Sequence, residues 1–169
     1  MKSKYISLRV LTISGIFMAL VILFSSFGVP VPGGKMYLND AVITLAAFLL
    51  PPLPALLVGG VGAFLGDFIF YPTPMFVSLC VHGFQALMIS LLLTKKRDHA
   101  HILCGVLISI LINVVGYSLG RAFIYATVDT ALLKLPYQIL QATVGSVLAY
   151  IIYEKTSIKH LYQSLTHQS

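Results

Sequence analysis

The side chains of this chain that could do chemistry are amides, phenols, a histidine and an arginine, and they recur at helical spacing. Asn113, Tyr117, Arg121 and Tyr125 stand four apart, which puts them on one face of a helix. His82 and Gln85 stand three apart on one face of an earlier segment. Lys134, Gln138 and Gln141 make a third stripe, with Tyr137 beside it. All sit in otherwise apolar surroundings. Amides and hydroxyls pair with heteroatoms, and phenol rings stack on other rings. The pattern suits a small, ring-containing polar solute. Arg121 reads two ways, as a ligand contact or as a long side chain reaching the membrane interface.

The same inventory argues against catalysis. The acidic residues, Asp40, Asp67, Asp98, Asp129 and Glu154, are scattered and fall mostly at the ends of apolar segments. Phosphoryl transfer needs carboxylates clustered around metal, and HExxH is absent from the sequence. The glycine-rich run Gly59-Gly-Val-Gly-Ala-Phe-Leu-Gly66 has no Lys-Ser/Thr after it, so it is no nucleotide loop. Its Gly62/Gly66 and Gly59/Ala63 pairs are small-xxx-small elements for close helix packing. His99 and His101 in a loop make weak metal ligands. Cys80 and Cys104 fall inside apolar segments and read as small buried hydrophobes. No cofactor and no metal is expected.

The elements that position these residues follow from composition. The 169 residues are 58% hydrophobic and 9% charged, with a mean hydropathy of +0.94. A soluble domain carries roughly 25% charged residues. Uncharged windows cover residues 10–34, 41–66, 68–94, 102–120 and 135–153, each able to supply a span of about 20 residues. The net charge of +6 sits in short clusters between those windows, which is membrane topology and not a nucleic-acid-binding face. Pro51-Pro-Leu-Pro54 splits the second window into two helices. Six spans with the N-terminus inside place Lys2, Lys4, Arg9, Lys95, Lys96, Arg97, Lys155 and Lys159 inside, and only Lys35, Arg121 and Lys134 outside. A five-span arrangement loses that bias, so the positive-inside rule selects six.

The expected fold is therefore a single all-α integral membrane domain. Its six transmembrane helices cover about residues 8–28, 40–51, 54–70, 74–94, 101–125 and 131–153, with both termini cytoplasmic and a polar tail that frays after Glu154. Pro30, Pro32 and Gly33-Gly34 force a turn-rich loop over the membrane core. Asn39 and Asp40 read as the N-cap of the next helix. Asp67 reads as a cap, a partner for Lys35 or a ligand contact. Gly15 and Ala19, four apart in the first span, flatten one face for a neighbour inside or outside the chain. The polar stripes converge on the outer half, and the inner half offers no matching polar path. A capture subunit that depends on a partner fits this better than a free-standing carrier.

Two stretches, Tyr37-Leu-Asn-Asp-Ala-Val-Ile-Thr-Leu-Ala-Ala-Phe-Leu-Leu50 and Gly59-Gly-Val-Gly-Ala-Phe-Leu-Gly-Asp67, resemble the S components of energy-coupling factor (ECF) vitamin transporters. The riboflavin-transporter-like branch is the nearest. The resemblance is strongest over residues 8–95. It implies an S-component-like bundle with a ligand site near the outer face. It also implies a first loop, carrying Tyr37 and Asn39, that acts as a lid. Gly15-x-x-x-Ala19 resembles the small-xxx-small element that docks the membrane T component, with Gly where Ala is commoner. Two cytoplasmic ATPase subunits would then supply ATP hydrolysis, consistent with the lack of a Walker A sequence here. A multi-pass protein of a prokaryotic plasma membrane is implied. The site set is Tyr37, Asn39, His82, Gln85, Asn113, Tyr117, Arg121, Tyr137, Gln138 and Gln141. Because this set holds no obvious acidic pair, a neutral hydroxymethylpyrimidine-like or pyridoxine-like heterocycle is favoured, with riboflavin next. The rival class is a structural or assembly membrane protein without a solute.

Overall fold

Helix α1 (Leu8–Ser25) begins where Ser7 accepts the Val10 N–H at 3.3 Å, pairing one of the donors a helix start leaves free. The computed structural model describes residues 7–167, so Lys2 and Lys4 lie outside the described residues. After α1 the prolines and glycines make a short antiparallel hairpin. Strand β1 (Val29–Val31) pairs with β2 (Gly34–Met36), Val29 facing Met36. Gly33 takes φ 79° at the turn, a conformation open to glycine at little cost.

The helices that follow are α2 (Asn39–Leu49), α3 (Pro52–Phe70), α4 (Met75–Lys95), α5 (His99–Gly120), α6 (Val128–Lys155) and α7 (Ile158–His167). Between α5 and α6 the chain widens into a single π-turn, Arg121–Tyr125, closed by Ala126 N–H on the Arg121 carbonyl at 3.0 Å. Residues four apart drift round a helix of 3.6 residues per turn. The wider turn takes up that drift at the end of the Asn113–Tyr125 stripe.

Among the described residues five helices are long and apolar enough to cross a membrane: α1, α3, α4, α5 with its π-turn, and α6. The 11 residues of α2 reach only about 16 Å, roughly half the hydrocarbon thickness. Yet α2 is the most enclosed element, with every residue from Ile43 to Leu50 buried. Around the bundle α1 packs on α3, α3 on α4, α4 on α5, α5 on α6, α6 on α2 and α2 on α1, with α2 also reaching α3 and α4. An apolar core of Phe17, Val21, Phe48, Val58, Ile89, Leu93, Ile102 and Tyr153 fills the half of the bundle nearer Lys95. Phe68, Phe76, Phe84, Leu107, Leu111, Phe123 and Ile139 point outward and are exposed. In water such a surface would be a liability; against lipid it is the expected one.

The glycine run does what its spacing predicts. Gly59 and Gly60 face the His82 and Leu79 carbonyls of α4, where an added Cβ would stand 2.6 and 3.0 Å away, and Gly62 faces Val21 of α1. Three expectations fail. Asn39 and Asp40 are not the cap of α2: Leu38 holds that position without a side-chain bond, because both polar groups turn inward to partners on other helices. The tail beyond Glu154 does not fray at once. It turns at Thr156 into α7, whose Ile158 and Tyr162 pack under the bundle core while Leu161 and Leu165 stay exposed. Cys80 and Cys104 are exposed on the outward faces of α4 and α5, not buried.

Candidate functional site

Asp40 is the centre of the polar half. It opens α2 at 1% exposure. Oδ1 accepts from Asn113 Nδ2 at 2.5 Å, and Oδ2 accepts from Gln141 Nε2 at 2.7 Å. Gln138 Nε2 in turn donates to Asn113 Oδ1 at 2.6 Å. The carboxylate thus ties α2 to α5 and α6. A buried carboxylate is tolerated only when its lone pairs are taken up in this way.

His82 stands beside it. Its Nδ1 lies 3.0 Å from Gln85 Oε1 and 3.7 Å from Asp40 Oδ1. A nitrogen between two acceptors carries a proton, so Nδ1 is the donor here. Gln85 is held from below, its Nε2 donating to Ser109 Oγ at 2.8 Å and to Thr44 Oγ1 at 3.3 Å. Ser146 Oγ also donates to Ser109 Oγ at 2.8 Å. This second layer joins α2, α4, α5 and α6 under the first.

On the far side Tyr117 O–H, Ser78 Oγ and the Asp67 carboxylate form a chain, with Tyr117 and Ser78 2.5 Å apart and Ser78 donating to Asp67. Asp67 closes the last turns of α3, and it neither caps that helix nor pairs with Lys35. The His82 and Tyr117 rings meet edge-on with centroids 5.4 Å apart.

These groups border one cavity of about 30 Å³, lined by Lys35, Tyr37, Asn39, Asp67, Tyr71, Pro74, His82, Tyr117, Arg121, Gln138 and Gln141. That volume holds about one water molecule, so a heterocycle enters only if the cover moves. The cover is the hairpin. Its Lys35 carbonyl accepts from Lys134 Nζ at 2.6 Å, and Tyr37 N–H donates to Gln141 Oε1 at 3.2 Å. Gly33 sits so close to α6 that a Cβ there would come within 2.9 Å of Lys134 Cβ. Asn39 Nδ2 donates to Ser25 Oγ at 3.0 Å, fastening the start of α2 to α1. Burial, with the Asp67 charge acting in the same direction, pushes the Tyr37 hydroxyl above its ordinary range. It therefore stays a proton donor, and among the described residues it has no partner.

Tyr37, Asn39, His82, Tyr117, Arg121, Gln138 and Gln141 all line the cavity. Gln85 and Asn113 do not; they sit one layer behind and hold His82, Asp40 and Gln138. Tyr137 is half-buried and off the cavity, because one step from Gln138 turns a side chain about 100° round the helix. Asp40, Ser78 and Lys35 were not singled out for the site by spacing; Asp67, read as a cap, a Lys35 partner or a ligand contact, lines the cavity. A second carboxylate thus stands near the site, with Asp67 lining the cavity and Asp40 behind it. One signal could have found both: an aspartate at each end of an uncharged apolar stretch, where an ionisable group is functional by default.

Fold and cavity together define a helical membrane protein with a covered polar pocket at one end of the bundle. The chain belongs to the ECF-type riboflavin transporter S component family, whose model matches residues 5–159. S components are substrate-binding membrane proteins of vitamin transporters, not enzymes. An uncharacterized protein in the gap 3′ region of Pyrococcus woesei is 29% identical over 130 residues, covering 73% of this chain and 87% of its own. The S component for biotin from an ECF-type ABC transporter, a crystal structure at 2.1 Å, superposes with a TM-score of 0.53. That match covers 91% of this chain and 95% of the other at 18% identity, and so speaks for the fold.

Proposed function

We propose that this chain captures a small vitamin or vitamin precursor at the cavity beneath the hairpin and hands it to partner subunits for import. The observation that carries this reading is a polar, charged cavity under a hairpin that is fastened by hydrogen bonds instead of by an apolar seam. A purely structural membrane protein gains nothing from burying that many polar groups at membrane depth. The preferred solute is a single ring of the hydroxymethylpyrimidine or pyridoxine size, whose heteroatoms suit the amides, His82 and Tyr117. Riboflavin is the second reading, supported by the family's name.

In the membrane the chain takes a six-crossing course with both ends in the cytoplasm. The short α2 completes its crossing through the hairpin before it and the extended Leu50-Pro51 after it. A membrane T component and two cytoplasmic ATPase subunits complete the transporter in a prokaryotic plasma membrane. Gly15 and Ala19 lie on an outward face of α1, with nothing of this chain within 4 Å of a Cβ built on Gly15. This favours docking to the T component over internal packing.

The deciding experiment is a thermal-shift screen of vitamins and their precursors on the purified chain. A solute at a hundred times its Kd stabilises the folded state by about 2.7 kcal/mol. A shift confined to one chemical class supports capture, and a flat response across the screen rejects it.

A further inference from the structure

Among the described residues Arg121 has no carboxylate partner; its guanidinium meets the Tyr125 ring, 5.5 Å from the centroid. Arg121 is 8% exposed and lines the cavity at the π-turn. The ion pairs among the described residues are His82–Asp40, Lys96–Asp98, His99–Glu154 and His101–Asp98, and none includes Arg121. The two carboxylates of the site are engaged elsewhere. Asp40 accepts from Asn113 and Gln141, and Asp67 accepts from Ser78. Lys134, fully buried on the same side, spends its proton donor on the Lys35 carbonyl and brings a second positive charge without a carboxylate. The hairpin then passes over Arg121, with the site of a Gly34 Cβ 3.9 Å from Nη2.

A guanidinium taken out of water needs an anion or strong acceptors in return. A snorkelling anchor would hold its head at the surface, and this one faces an internal cavity. Arg121 is also a fixed planar fork, which matches the paired oxygens of a carboxylate or phosphate.

We propose that the solute of this site carries an anionic group, a carboxylate or a phosphate, and that Arg121 binds it at the mouth of the cavity. The proposal rests on the capture reading above and narrows it. The ring lies deeper, against His82 and Tyr117. The neutral heterocycle suggested by the amides and phenols is replaced by an acidic one. Arg121 then selects among solutes of similar ring structure by pairing with their anionic group.

The test uses matched pairs on the full chain in lipid nanodiscs, with binding followed by calorimetry. Pyridoxine is compared with 4-pyridoxic acid and with pyridoxine 5′-phosphate, riboflavin with riboflavin 5′-phosphate, and biotin with its alcohol, biotinol. At least one acidic compound is expected to bind about tenfold or more tighter than its neutral counterpart, the scale of one charge-assisted contact. Whether the carboxylate or the phosphate wins identifies the group. Arg121→Gln should bring the ratio near one, and Arg121→Lys should restore part of it, showing that charge and not folding was lost. Neutral compounds binding as well as acidic ones, or an unchanged ratio in Arg121→Gln, would overturn the anion assignment while leaving capture intact. If the wild-type chain binds neither member of any pair, the capture reading fails and this inference fails with it.

Discussion

Lys134, wholly buried in α6, donates from Nζ to the main-chain carbonyl of Lys35 in the hairpin at 2.6 Å. A side chain from the bundle thus holds the backbone of its cover, and the bond does not depend on which residue stands at position 35. Together with Gln141 on Tyr37 N–H it makes two latches from one helix face. The cavity cannot admit a ring while both are closed.

Lys134→Met should loosen the cover. A hydrogen bond to a charged group contributes about 1.5–3 kcal/mol, so solute dissociation should speed up by roughly tenfold to a hundredfold. Hydrogen exchange of the amides from residue 29 to residue 38 should rise in the same variant. Unchanged exchange there would mean that the hairpin is held by other contacts.

Asp40→Ala should damage folding more than binding chemistry alone would explain. It leaves the amides of Asn113 and Gln141 buried without an acceptor, at about 1–3 kcal/mol for each orphaned group. Because these residues share one network, Asp40→Ala and Asn113→Ala should be far from additive in a double-mutant cycle. Thermal unfolding in detergent measures both; additive losses would show that the network is not a unit.

The two tyrosines separate lining from proximity. Tyr117→Ala should weaken solute binding by roughly tenfold to a hundredfold, on the scale of about 1–3 kcal/mol for a buried partner, whereas Tyr137→Ala should leave affinity within about twofold. Calorimetry on both variants is sufficient. Equal losses would move the site toward the middle of α6.

Gly15→Leu and Ala19→Leu place bulk on the outward face of α1. Solute binding by the isolated chain should survive, and copurification with the T component should fall sharply. Normal copurification with both substitutions present would send the docking surface elsewhere.

How much of this was legible in the sequence depended on whether a signal was periodic or relational. The stripe from Asn113 to Tyr125 shows itself through spacing, and the glycine run of α3 through its small-residue pairs. Both describe one helix face and need no knowledge of neighbours. Asp40 was misread because a polar residue before an apolar run has the same local signature whether it caps its own helix or reaches across to two others. Only the meeting of α2 with α5 and α6 separates those roles. Gln85 and Tyr137 show the converse limit: helical phase says which residues share a face, but not how deep the layer is or where the face ends. Helix α7 carried a usable signal in Ile158, Leu161, Tyr162 and Leu165, spaced for one face, but the polar residues between them hid it.

Helix α2 closes the ring between α1 and α6, and this has a consequence for biogenesis. The chain leaves the ribosome N-terminus first. Asp40 waits 73 residues for Asn113 and 101 residues for Gln141. At about 5–20 residues per second, that second interval is roughly 5–20 s. Until Gln141 arrives the carboxylate lacks at least one of its two amides, and an aspartate short of partners inside a bilayer is costly. The second helix in order of synthesis is thus among the last to settle in the membrane, lingering at the interface or in the insertion machinery until α6 arrives.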